Sequence, residues 1–146
     1  MAQAAPQTFA NHVRIVPAYH IVLFGILVIN FIWAAYQTVR LFSVASAIGL
    51  LLAIGLIILS FCARIFALRV QDRVIRLEMW LRMEKLLPAD LRGRIPEFTV
   101  SQLVALRFAS DEELPELARK ILGDNITDRK TIKKMIQNWK PDYLRA

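Results

Sequence analysis

The chain has 146 residues and a formal net charge of +7, and 56% of its residues are hydrophobic. No Asp or Glu occurs before Asp72, whereas all 12 acidic residues and 17 of the 19 Lys and Arg residues follow Phe61. A soluble domain of this length is too small to bury the long apolar runs of the first half, so composition excludes an ordinary soluble globular protein.

Two long apolar runs follow an N-terminal tail, residues 1–18. They extend from Tyr19 to Val39 and from Ser43 to Ala63, and each has about 20 residues, enough for a hydrocarbon core of roughly 30 Å. The first run exceeds the apolar core of a signal peptide, about 7–15 residues, and no A-x-A-like cleavage site follows it. These features predict a transmembrane helical hairpin over residues 19–63.

Basic residues flank this hairpin asymmetrically. Arg64, Arg69 and Arg73 follow the second run, whereas the short link between the runs carries only Arg40. Because segments rich in Lys and Arg remain in the cytoplasm, we predict a multi-pass protein of the cytoplasmic membrane with the N- and C-termini in the cytoplasm.

Small and polar residues within the runs are candidates for helix packing. Ala45, Gly49 and Ala53 recur every four residues, a spacing that lets a second helix approach closely in lipid. The alternative is that small residues are simply common in such helices. Asn30 is a strong hydrogen-bonding side chain deep in the first run, and it needs a partner across the hairpin or on another subunit.

The second helix is predicted to continue beyond the membrane. No Gly or Pro occurs between Gly55 and Pro88, so residues 64–87 are expected to form a cytoplasmic helical stalk. Pairs of opposite charge four residues apart, Asp72–Arg76 and Glu78–Arg82, favour this helix.

The stalk has two chemically different sides. Its basic side, with Trp80, is typical of a helix that contacts anionic lipid headgroups. Its apolar side is typical of packing against the C-terminal segment or a partner, and the interspersed acidic residues favour this second interpretation. The basic side comprises Arg69, Arg73, Arg76 and Trp80; the apolar side comprises Phe66, Val70, Val74, Leu77 and Leu81, flanked by Ile75, Met79 and Leu86.

Residues 88–146 are predicted to form a small C-terminal helical segment after a turn-rich connector. Capping boxes at Thr99 with Gln102 and at Ser110 with Glu113 predict helix starts, and Thr127 is a third candidate cap. The predicted helices cover residues 100–108, 111–122 and 128–138, and Gly123 is expected to end the second in a left-handed conformation. The expected fold class is therefore all-α: a transmembrane hairpin, a long second helix and a C-terminal helical cluster.

The residues that could carry chemistry are few. His20 lies at the membrane edge, where it is a candidate ligand for a chlorophyll magnesium or a haem iron. We favour the simpler interpretation of an interfacial histidine bonded to a neighbour or to a lipid headgroup. The sequence contains no catalytic triad, phosphate-binding loop or zinc spacing, so we expect neither an enzyme nor an intrinsic cofactor or metal, with chlorophyll or lipid as contacts only.

A basic last helix raises the question of nucleic-acid binding. Lys130, Lys133, Lys134 and Lys140 could contact phosphates. The solvated side of an amphipathic helix explains the same pattern, and we do not expect nucleic acid as a partner.

The strings "NHVRIVPAYH", "QDRVIRLEMWLR", "QLVALRFASDEELPEL" and "IKKMIQNWKPD" resemble a family of small bacterial membrane proteins with two transmembrane helices and a domain of unknown function. The resemblance covers about Phe9 to Arg145. It implies the two-helix topology and a bacterial origin, and it implies no activity.

The expected function is that of a non-catalytic accessory or structural subunit of a larger bacterial membrane complex. The favoured host is a photosynthetic reaction centre or another electron-transfer complex, because His20 and nearby aromatic residues could border pigments. Its partners would be other membrane subunits and the lipid bilayer. The alternative is a free-standing membrane-anchored tether or regulator of a cytoplasmic partner.

Overall fold

The structure is a computed structural model that describes residues 7–9 and 15–142. Every regular element within these residues is helical, and two of the helices are long and apolar. The all-α prediction is confirmed at this level, and most of the predicted tail 1–18 lies outside the described residues. The elements are α1 Ala18–Arg40, α2 Val44–Leu86, α3 Ala89–Arg92, a 3-10 turn Ile95–Glu97, α4 Val100–Leu106, α5 Leu114–Gly123 and α6 Arg129–Met135.

The chain divides into two compact units. The hairpin unit comprises residues 15–67, and the helical cluster comprises residues 68–142 with residues 7–9. Helix α2 contributes to both, and it has no break between Val44 and Leu86. This confirms the predicted uninterrupted helix. The physical reason is that no Gly or Pro occurs between Gly55 and Pro88 to end it.

Helices α1 and α2 contact each other through regularly spaced side chains in the hairpin unit. On α2, a row of less exposed residues begins at Ser46 and ends at Ser60, with members four, three, four and three residues apart, as on one face of a helix. Small residues on α2 allow this contact. The less exposed positions include Phe24, Leu27, Ala34 and Thr38 on α1, and Ser46, Leu50, Ala53, Ile57 and Ser60 on α2.

Hydroxyl groups order the link between α1 and α2. The Ser43 hydroxyl accepts the Ser46 N–H at 3.0 Å, and the Ser46 hydroxyl accepts the Ser43 N–H at 2.9 Å. This reciprocal pair satisfies N–H groups that the first turn of a helix leaves unpaired. The Thr38 hydroxyl donates to the Ser46 carbonyl at 3.0 Å, so the end of α1 is linked to the start of α2.

The helical cluster has one apolar core, to which α2 contributes Ile75, Met79 and Met83 at four-residue intervals, and Leu87 directly after the helix continues this row. Part of the predicted apolar side of the stalk is therefore buried in this core, and the rest of it is exposed. Ile75 and Met79 are buried, whereas Val70, Val74, Leu77 and Leu81 are exposed. Met83 lies on the same row of the helix as Ile75 and Met79, and this row, rather than the predicted stripe, packs into the core.

Local hydrogen bonds account for the helix ends in the cluster. The capping box of Thr99 and Gln102 is confirmed, with the Thr99 N–H donating to the Gln102 amide oxygen at 2.7 Å. The predicted start of α6 at Thr127 is wrong by one residue. Asp128 is the cap, and its carboxylate accepts the Thr131 N–H at 2.7 Å.

The left-handed residue after α5 is not the glycine that the sequence suggested. Gly123 is the last residue of α5 and has a negative φ, whereas Asn125 has a φ of 48°. Asn adopts this conformation more readily than other non-glycine residues. The Ile126 N–H then donates to the Ile121 carbonyl at 3.0 Å, which closes the end of the helix.

Candidate interaction surfaces

His20 belongs to an aromatic corner at one end of the hairpin unit. The first turns of α1, Ala18–Leu23, are a π-helix. The Tyr19 hydroxyl donates to the Ser60 carbonyl at 2.7 Å, and the ring of Tyr19 meets those of His20 and Phe24 edge-on at 5.1 and 5.7 Å. The Arg64 guanidinium lies 5.9 Å from the centre of the Tyr19 ring. Tyr19 therefore links α1 to α2, and His20 lies beside it.

The imidazole of His20 is exposed, and one of its nitrogens contacts the backbone. Nδ1 lies 3.1 Å from both the N–H and the carbonyl oxygen of Val16. A backbone carbonyl at Nδ1 is the arrangement that commonly leaves Nε2 as a metal ligand. The same contact satisfies an ordinary interfacial histidine, so a pigment or haem ligand at His20 stays a prediction. The described residues contain no group of three or more metal-ligating side chains.

The candidate packing residues have different surroundings. Ala53 is only 2% exposed, Gly49 is partly buried and Ala45 is exposed. A methyl group added at Gly49 would meet nothing within 4 Å. Asn30 is exposed, and its side chain forms no hydrogen bond with the described residues. Ala53 thus contributes to contact within the hairpin, while a role for Ala45, Gly49 and Asn30 in contacting another helix stays a prediction.

We expect Ala53→Leu to separate α1 from α2, because the added volume has no space at a buried contact. Distances between spin labels at the ends of the two helices should increase and broaden in the variant. Ala45→Leu is the matched control, and it should leave those distances unchanged because Ala45 is exposed. Equal effects of the two substitutions would contradict this assignment of the contact.

The predicted basic face of the stalk is not uniform. Arg69, Arg73 and Arg76 are exposed, whereas Trp80 packs against the core of the helical cluster. The Arg76 guanidinium lies over the Trp80 ring at 4.8 Å from its centre. The three arginines could contact anionic headgroups, but the Trp80 ring is partly covered by its own domain. A membrane-surface role for this face stays a prediction.

Arg82 joins α2 to the segment that follows α4, and sequence reasoning missed this role. Nη2 donates to the Ala109 carbonyl at 2.6 Å, Nη1 donates to the Arg107 carbonyl at 3.3 Å, and Nε donates to the Asp111 carboxylate at 2.7 Å. The side chain is only 16% exposed. The predicted pairs Asp72–Arg76 and Glu78–Arg82 are absent from the ion pairs of the described residues. Arg82 instead binds carbonyl groups left unpaired where α4 ends, which a charge pattern along one helix cannot show.

The Asp111 carboxylate makes the contact between Arg82 and the segment after α4 sensitive to acid. The hydrogen bond from Arg82 is the largest cause of a lowered pKa of the Asp111 carboxyl, and Lys140 at 3.3 Å contributes further. Because the folded pKa is below the unfolded value, this contribution to stability is present above the unfolded pKa of about 3.9 and is lost as the pH falls through the folded pKa.

We therefore expect Asp111→Asn to reduce the loss of stability of the helical cluster between about pH 5 and pH 2, since the amide does not titrate. Denaturant unfolding across this range measures the effect. Asp90→Asn is the control, because Asp90 pairs with Arg119 at an exposed site. If the free energy of unfolding of the Asp111→Asn variant fell with pH as steeply as that of the wild type, the prediction would be wrong.

Glu113 explains why α6 is shorter than predicted. Its carboxylate accepts the N–H groups of Gln137 at 2.8 Å and Asn138 at 3.1 Å. The backbone also pairs there, with the Lys140 N–H donating to the Phe108 carbonyl at 2.7 Å. These bonds favour an extended chain after Met135, so the helix does not reach Asn138. The sequence assigned Glu113 to a capping box because Ser110 precedes it by three residues.

The comparison with known families agrees with the resemblance seen in the sequence. The whole chain, residues 1–146, matches the model of DUF6526, a family of unknown function. The protein belongs to this family. No curated protein and no solved structure matches it significantly. A family of unknown function is thus confirmed, whereas a bacterial origin stays a prediction.

Proposed function

We propose that this DUF6526 protein is a non-catalytic structural subunit of a bacterial membrane complex. The hairpin unit anchors it in the inner membrane, and the helical cluster lies in the cytoplasm. The supporting observation is the exposure of the two apolar helices. Only 6% of the most apolar stretch of α1 and 11% of that of α2 is buried within the chain. A helix in the core of a soluble protein would be mostly buried, so such exposed surface favours lipid or protein surroundings.

The charged side chains of the helical cluster support a structural rather than a catalytic role. Arg82 and Glu113 bind backbone groups, and Arg107 pairs with Asp142 at 3.2 Å. Each of these contacts joins segments that are far apart in the sequence. Groups used in this way stabilise the fold, because they satisfy backbone groups and hold distant segments together.

The exposed His20 imidazole and the aromatic corner support an electron-transfer complex, such as a photosynthetic reaction centre, as the favoured host. In the tautomer whose Nδ1 donates to the Val16 carbonyl, Nε2 is the nitrogen that would contact a chlorophyll magnesium or a haem iron. Both termini are proposed to be cytoplasmic, since the arginines after residue 63 outnumber the single Arg40 of the link.

The test begins with membranes washed in alkaline carbonate, in which the protein should remain in the pellet. Extraction with a mild detergent, a native gel and mass spectrometry then identify its companions. We expect migration with other membrane subunits, and for the favoured host a pigment absorbance that follows the same band. Release by carbonate would contradict the membrane location. Migration at the mass of one or two copies, without companions, would contradict the subunit role and favour a free-standing tether.

A further inference from the structure

Four apolar side chains of α2 form an exposed row in the helical cluster, which we call the stalk stripe: Val70, Val74, Leu77 and Leu81. They are 62%, 50%, 61% and 59% exposed. The core of the cluster uses a different row of the same helix, which includes Ile75, Met79 and Met83. The stalk stripe is therefore not covered by the domain to which it belongs.

The spacing of the stalk stripe fits another helix. Its members are four, three and four residues apart, which is the alternation of the core positions d, a, d and a in a coiled coil. Valine and leucine at these positions interlock with the same positions of a partner helix. A contiguous apolar row of this kind also marks an interaction surface on an otherwise charged domain.

The charges beside the stripe indicate which helix fits. Arg73 precedes Val74 and Glu78 follows Leu77, so they occupy the g and e positions. In a parallel pair of identical helices, position g contacts position e of the partner five residues further along, which places Arg73 opposite the partner's Glu78. Neither Arg73 nor Glu78 forms an ion pair with the described residues.

The next pair along the stripe has compatible chemistry. Trp80 occupies the following g position, and Lys85 occupies the e position five residues later. Trp80 already packs against the core and has Arg76 over its ring, so this position adds no repulsion, and the Arg73–Glu78 pair carries the charge argument. In an antiparallel pair, g would face g, and Arg73 would lose its acidic partner.

We propose that a second copy of this chain binds along the stalk stripe, in parallel and in register. The inference goes beyond the proposed function and rests on its membrane location, because two copies inserted in the same orientation present parallel helices. Confinement to one membrane also raises the local concentration of the two stripes, which compensates for the short length of the contact.

Cysteine cross-linking of the full chain in liposomes tests this arrangement. In a Cys62→Ala background, Val74→Cys, Leu77→Cys and Leu81→Cys should each give a disulfide-linked dimer on mild oxidation. Core positions of paired helices come within disulfide range, Cα–Cα about 4.4–6.8 Å. Arg76→Cys is the control, since Arg76 is exposed and lies off the stripe. We expect roughly tenfold less cross-linked dimer for the control.

Charge exchange distinguishes a second copy from lipid headgroups or another protein. In the Leu77→Cys background, Arg73→Glu and Glu78→Arg should each lower the cross-linked fraction roughly two- to fivefold, because like charges then face each other across the pair. The double exchange should restore it. Headgroup binding would instead be strengthened by Glu78→Arg, and a different protein partner would leave all three cysteine variants monomeric.

The outcomes are separable from those of the proposed function. Equal cross-linking of the Arg76→Cys control, no dimer at the three stripe positions, or no restoration by the double exchange would each overturn the proposal. Protein that stays in carbonate-washed membranes yet gives no dimer leaves the membrane location intact and refutes the parallel pair. Protein released by carbonate refutes the proposed function itself.

Discussion

Replacing Arg82 with methionine is expected to lower the free energy of unfolding of the helical cluster by about 2–4 kcal/mol. Methionine keeps the apolar stem of the side chain but removes the donors to the Ala109 and Arg107 carbonyls. Asp111 keeps only Lys140 as a cationic partner. The cost is large because partly buried acceptors are left without a donor while the contacts of the hydrocarbon stem persist.

Denaturant unfolding of the full chain in micelles, followed by hydrogen exchange of residues 100–140, measures this loss. Arg94→Met is the matched control, since Arg94 pairs with Glu97 at 2.8 Å on the surface. An exposed pair of this kind contributes little to stability, because solvent and salt screen the two charges. Similar losses of unfolding free energy in the two variants would mean that Arg82 contributes only surface charge. The hydrogen bonds from Arg82 to Ala109 and Asp111 would then not be formed. Arg82→Lys should give an intermediate loss, since an ammonium cannot reproduce the planar arrangement of the guanidinium donors.

Replacing Phe108 with alanine is expected to remove about 3–5 kcal/mol from the same domain. Phe108 is completely buried, and its ring lies 5.0 Å from that of Trp139. The Arg107 guanidinium and the Lys133 ammonium lie 4.6 and 5.1 Å from its centre. The truncation therefore creates a cavity and also removes the aromatic surface that these three side chains contact.

A loss of this size is a large part of the stability of a small domain. Hydrogen exchange should show that α4 and α6 lose protection. Phe108 lies between the end of α4 and Ala109, which pairs with Trp139 in an isolated β-bridge. Phe108→Leu is the control and should cost less, since it keeps most of the buried volume. If the alanine variant retained the protection seen with leucine, the core would not depend on the Phe108 ring.

Two aspects of the fold follow from local sequence. The uninterrupted α2 follows from a long segment without Gly or Pro, and the start of α4 follows from the Thr99 and Gln102 side chains. Both depend on contacts between residues at most a few positions apart. Prediction was weaker wherever the deciding partner was distant. Glu113 was assigned to its own helix but binds Gln137 and Asn138.

The candidate sites show the same division. The position of His20 near the edge of an apolar helix follows from the sequence, but its contact with Val16 and its neighbour Tyr19 required the structure. The sequence analysis paired Arg82 with Glu78 on the same helix, whereas Arg82 lies between the buried residues Met79 and Met83 and binds the segment after α4. A cation placed next to core residues on one helix is the pattern that could have indicated its role.

The sequence by itself determined that this DUF6526 protein is helical, that its first half is apolar and that one helix continues from the apolar half into the charged half. These properties depend on composition, on the absence of helix-breaking residues and on short-range capping. Only the tertiary structure decided which side of the stalk is buried. Two apolar rows on one helix are equivalent until the rest of the chain packs against one of them, and the row of Met79 and Met83 is buried while Leu77 and Leu81 remain exposed.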